Sequence, residues 1–144
     1  MKPVGLLPLL SAQRPIIGVL HLPPLPGAPT QGPGLQAVLD RALGDAEALV
    51  EGGARGVIVE NLGDAPFSAG PVSPHVVAVL SRVALAVRTR FGSELCVGVN
   101  ALRNDALGAL GAAAVAEAGF IRVNVHVGAM VTDQGVIQGR ARET

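Results

Sequence analysis

A short, mostly apolar run with a polar residue at or near its C-terminal end occurs four times in the 144 residues, and an amphipathic stretch separates each run from the next. The runs are residues 16–22, 57–61, 95–100 and 120–126. Between them, Leu35, Val38, Leu39, Ala42, Ala46, Leu49 and Val50 fall on one stripe of a helix that Gly52-Gly53 ends. Ser73-Pro74 reads as an N-cap followed by proline at the first helical position. Val76, Val77, Leu80, Val83, Ala84 and Val87 then form the apolar face, Arg88 and Arg90 suit the last turn, and Gly92 stops the helix. A third, Ala-rich helix is capped by Asn104 or Asp105 and runs to Gly119. Strand, helix, strand in strict alternation, with largely apolar strands and amphipathic helices, predicts an α/β fold of parallel (β/α) units with right-handed crossovers. An open doubly wound sheet and a closed barrel both fit this pattern. No fourth helix follows residue 126, and complete eight-fold barrels need about 250 residues. The expectation is therefore a single domain over 1–144, the N-terminal half of a TIM-type barrel, with 1–15 a lead-in and 127–144 a C-terminal loop or tail.

The strand at 120–126 is the most informative. Ile121, Val123 and Val125 alternate with Arg122, Asn124 and His126, so one face is apolar and the other polar. On an edge strand the polar face would simply meet water. In a strand flanked by helices it points into the interior or mouth of a barrel, where unpaired polar groups are costly. The other strands repeat the placement, with His21, Glu60 and Asn100 at their C-terminal ends. Both candidate folds bind ligands at that end, although a chain leaving its core also tends to turn polar.

His21, Glu60 and His126 supply an acid and bases for proton transfer. They are also residue types that hold divalent metals, but no spacing such as His-x-x-x-His supports a metal, and no cofactor is implied. Asn100, Arg122 and Asn124 are candidate ligand contacts. Asp64, after Gly63, reads as ligand contact or turn residue, and Arg103 as an anion contact near a helix N-terminus or a solvated loop cation. His75 reads as a surface residue. Walker-type and Gly-x-Ser-x-Gly motifs are absent.

Composition narrows the function classes. Eleven acids balance eleven bases, and the aromatics amount to three Phe. A nucleic-acid site, which needs a basic stripe or stacking platforms, is not expected. The apolar run in 1–10 is broken by Pro3 and Pro8, too short for a signal peptide. The single Cys96 permits no internal disulfide and reads as a small buried hydrophobe. The expected location is cytoplasmic, with any membrane contact peripheral.

Five blocks, taken together, resemble the BtpA/SgcQ family: Ile17-Gly18-Val19-Leu20-His21-Leu22-Pro23-Pro24-Leu25-Pro26-Gly27, Gly56 through Phe67 with Glu60-Asn61-Leu62-Gly63-Asp64, Gly98 through Asp105, Phe120 through His126, and Thr132-Asp133-Gln134-Gly135. The resembling blocks add Asn61 and Asp133 to the candidate ligand contacts. The resemblance implies a TIM-type barrel of full size, twice the strands present here. It also implies a role in the biogenesis of a membrane protein complex, of the photosystem I type in cyanobacterial relatives. The residues themselves suggest instead an enzyme acting on a sugar-like, nucleoside or phosphorylated ligand. The expected partners are a small anionic ligand, a membrane complex, and a second copy of the chain covering the sheet edges that a half-barrel exposes.

Overall fold

A computed structural model describes residues 5–11 and 14–144. Five-residue strands β1 (Ile17–His21), β2 (Gly56–Glu60) and β3 (Cys96–Asn100) pair in parallel, and the two-residue β4 (Phe120–Ile121) follows, giving the order β1-β2-β3-β4. A short helix, α1 (Leu6–Leu10), precedes them. The crossovers are α2 (Leu35–Glu51), α3 (Pro74–Phe91) and α4 (Ala106–Ala116). An antiparallel hairpin, β5 (Ala129–Thr132) with β6 (Gly135–Gln138), ends the chain together with a 3-10 turn at Ala141–Glu143.

Alternation along the strands sorts the sheet into two faces. Leu20, Val57, Val59, Val97 and Val99 share one core with Val38, Ala42 and Ala46 of α2, Leu80, Val83 and Val87 of α3, and Ala109 and Ala112 of α4. Each fully buried Val or Leu stabilises the fold by about 1.5–3 kcal/mol. That sum accounts for a core containing no Trp or Tyr. A Cβ on Gly18 would come within 2.5 Å of the Leu49 side chain, so the glycine lets α2 lie close against β1. The opposite face carries Ile58 and Cys96, both buried. It also carries the Phe120 ring, which lies where a Cβ on Gly98 would stand at 2.4 Å, and Leu9 of α1, which reaches Gly56. This face is less bare than a half-barrel suggests, since Ile58 is only 8% exposed.

Several sequence expectations need correction. The strand expected over 120–126 ends after Ile121. Its last ladder bond is Arg122 N–H to the Val99 carbonyl, 2.9 Å. Beyond it the side chain of Asn104 accepts from Val125 N–H at 2.8 Å and donates to the Val125 carbonyl at 3.0 Å, taking the place of a neighbouring strand. The segment 127–144, expected to be loop or tail, contains the hairpin, and the lead-in contains α1. Ser73 stands at the N-cap of α3 but makes no side-chain capping bond, whereas Asp105 caps α4 by accepting from Gly108 N–H at 2.9 Å. Arg88 is buried at 5% exposure, and its guanidinium donates to the Gly92 carbonyl that closes α3. The third long helix stops at Ala116, before Gly119, where Glu117 turns left-handed at φ 51°. Leu35 starts α2 with 40% of its surface exposed, outside the buried stripe. The reading of residues 1–10 as too broken for a leader falls partly on residues 1–4, which lie outside the described residues.

Candidate functional site

Register builds the site. His21 stands opposite Glu60 in the β1–β2 pairing, and Glu60 opposite Asn100 in the β2–β3 pairing. Three polar residues therefore lie level at the C-terminal ends of adjacent strands, on the face away from the long helices. One more step along the β3–β4 register, from the pair Val99 and Ile121, brings Arg122 level with Asn100. The strand ends bring His21, Glu60, Asn100 and Arg122 into a single row, and Asn124 reaches it from the segment that follows.

Glu60 is the centre of that row and only 4% exposed. Its Oε2 accepts from Asn100 Nδ2 at 2.6 Å and from Arg122 Nη1 at 2.8 Å. Its Oε1 faces His21 Nε2 at 3.5 Å, too long for a good hydrogen bond. Asn100 Nδ2 also reaches Asn124 Oδ1 at 3.2 Å. A buried carboxylate is tolerable only when hydrogen-bonded and countered by charge, and Arg122 supplies the counter-charge on one oxygen. The second oxygen is left to His21, whose side chain is 54% exposed, and to whatever approaches from the mouth.

Other predicted contacts have different work. Asn61 is 1% exposed. Its Oδ1 accepts from Leu102 N–H at 2.8 Å, and its Nδ2 donates to Asp64 Oδ2 at 3.0 Å. Asp64 Oδ1 in turn accepts from Leu25 N–H at 2.8 Å. The pair thus fastens the loops after β1, β2 and β3 to one another. Gly63 permits the closeness, since a Cβ there would stand 2.4 Å from the Pro23 carbonyl carbon. Arg103 pairs with Asp133 at 3.1 Å and sits 5.7 Å from the Phe67 ring centroid, so the two expected contacts meet each other and join the hairpin turn to the β3 loop. His126 is not gathered into the Glu60 row. It lines a separate cavity of about 430 Å³ together with Asn104, Asp105, Val125, Gln138 and Arg140. Among the described residues no group of three or more His, Cys, Asp or Glu is disposed to hold a metal.

Asn104 is the residue that the sequence undervalued. Read only as a cap, it sets the path of the chain after β4. Its position just before Asp105, at a strand-to-helix loop, was the available signal. Burial pushes the Cys96 thiol above its usual range, with nearby Arg88 acting in the opposite sense.

The family model described as the BtpA family matches residues 12–144. The chain is 46% identical over 133 residues to the photosystem I biogenesis protein BtpA of a Synechocystis strain, covering 92% of this chain and 46% of that protein. It is 45% identical over 132 residues to an uncharacterised protein of Pyrococcus furiosus, covering 92% and 49%. It is also 33% identical over 137 residues to an uncharacterised mitochondrial protein of Caenorhabditis elegans, covering 92% and 50%. The chain spans about half the length of these relatives. No solved structure matches it. With a match running through the Glu60 row and its loop braces to the last residue, the chain belongs to the BtpA family.

Proposed function

We propose that the chain forms part of a small-molecule site at the C-terminal ends of its parallel strands. There Glu60 and His21 exchange a proton with a sugar-like, nucleoside or phosphorylated ligand held by Asn100, Arg122 and Asn124. The observation that carries this reading is the state of the Glu60 carboxylate. It is buried, with one oxygen taken by two donors and the other turned toward an exposed imidazole. Such an arrangement fixes the orientation of a proton acceptor while leaving one lobe for a ligand. The test is an NMR titration with pooled sugars, nucleosides and their phosphates. Saturable shifts at His21, Asn100 and Arg122, abolished in Glu60→Gln, are expected. Shifts confined to the rest of the surface would overturn the reading.

A second reading is favoured by the name of the cyanobacterial relative, a photosystem I biogenesis protein 46% identical over 92% of the chain. In it, the protein serves the biogenesis of a membrane protein complex through peripheral association. No helix among the described residues is long and apolar enough to cross a membrane. Co-sedimentation with membrane vesicles or a membrane subunit, without turnover of any small molecule, supports it. Absence of such binding rejects it.

A further inference from the structure

The electrostatics of the Glu60 row select among the ligand classes just named, and this inference rests on that site reading. Arg122 is the cation paired with Glu60, and its guanidinium uses one of five N–H donors there. The formal charges of the two side chains cancel. Glu60 Oε1 has only the long approach of His21 at 3.5 Å, so among the described residues it is an acceptor without a close donor. A group entering beside it must therefore donate a hydrogen bond. Phosphate cannot do this well, because it arrives with acceptor oxygens and negative charge against a carboxylate held in poor contact with water. A hydroxyl can. The nearby N–H groups of Arg122, half exposed at 47%, are donors, so a neighbouring hydroxyl oxygen can accept from them.

Arg122 Nη1 bonds the other oxygen of the same carboxylate at 2.8 Å, and the neutral group that can offer a donor to Oε1 and an acceptor to the remaining Arg122 N–H groups is a vicinal diol. One hydroxyl donates to Glu60 Oε1, and its neighbour accepts from Arg122. We infer that the Glu60–Arg122 pair recognises a vicinal diol of a neutral polyhydroxylated ligand, and that any phosphate on the same ligand lies away from this row. Arg103 does not alter the assignment, since it is already engaged with Asp133 of the hairpin turn at 3.1 Å. Specificity follows from the buried acceptor. A site built to accept from a hydroxyl rejects an analogue lacking it, because the acceptor is then left unpaired.

The test is a residue-resolved NMR titration of the 144-residue chain with ribose and 2-deoxyribose, both as methyl furanosides so that only the ribose carries a vicinal diol, and with inorganic phosphate. Ribose is expected to shift the Glu60, Asn100 and Arg122 signals saturably. 2-Deoxyribose should bind at least about tenfold more weakly, the size expected for one lost hydrogen bond to a charged acceptor. Phosphate should leave these signals unmoved. Glu60→Gln should weaken ribose by a similar factor, and Arg122→Gln, at a half-exposed position that folding tolerates better, should do the same. If phosphate saturates the Glu60 and Arg122 signals as tightly as ribose, the diol assignment is overturned while the site stands. If no probe moves the row, the assignment and the site reading fall together.

Discussion

At Asn61 a side chain expected to meet a ligand turns out to meet the backbone. Its carbonyl oxygen takes Leu102 N–H, and its amide holds Asp64, which takes Leu25 N–H. Replacing it with alanine leaves buried groups without partners, at about 1–3 kcal/mol. Asn61→Ala should therefore lower the urea midpoint by the equivalent of that amount, and an unchanged midpoint would refute the brace. The polar ends of the strands were legible because counting by twos along an apolar run is enough to find Glu60 and Asn100. The brace was not, since its bonds join residues 39 and 41 apart in the chain, and no local pattern reports them. Cys96 was legible as a buried hydrophobe, and it is 1% exposed. Its raised pKa means that the fold favours the neutral thiol. Its contribution to stability is present below the unfolded thiol pKa of about 8.5 and is lost as pH rises through the higher folded value. Iodoacetamide at pH 8 should modify the folded chain at least about tenfold more slowly than the urea-unfolded chain, because the thiolate is the reacting form. Equal rates would contradict the burial.

The helices were the most readable elements, and their caps the least. Ser73-Pro74 and Asn104-Asp105 look equally good in sequence, yet only Asp105 makes a capping bond. Its second oxygen accepts from Val72 N–H at 2.9 Å, which ties the segment before α3 to the start of α4. Asp105→Ala should cost about 1–2 kcal/mol, while Ser73→Ala should cost at most a few tenths. Calorimetry of the two variants checks the contrast, and equal losses would break it. The missing length of β4 has a comparable cause, since a side-chain amide on another loop captures Val125 before a ladder can. The hairpin escaped notice because its cross-strand pair Val131 and Val136 stays 82% and 63% exposed, so the usual apolar and polar alternation is absent. The two-residue turn at Asp133-Gln134, closed by Gly135 at φ 96°, was the signal to use.

The sheet as a whole has two edges, β1 and β4, and neither is paired with a further strand among the described residues. Strands with open edges pair with other chains unless they are covered. At micromolar concentration we expect a dimer or larger species, measured by sedimentation velocity. A compact monomer throughout that range would exclude self-association through these edges. The parallel order and the helix-covered face were evident from the alternating runs, because strand–helix–strand connections leave few topologies. What covers the other face was not, since it depends on Leu9, Phe120 and the glycines opposite them. The level row of His21, Glu60 and Asn100 has one further consequence, and it concerns heredity rather than energy. Each of these side chains reaches the mouth because an even number of steps separates it from Ile17, Gly56 or Cys96, the first residue of its five-residue strand. A one-residue deletion within β2 could leave an apolar, pairable strand and still turn Glu60 toward the helices. Lineages can therefore lengthen or trim the loop segments outside the Asn61–Asp64 brace more readily than the strands, which tolerate insertions and deletions only in twos.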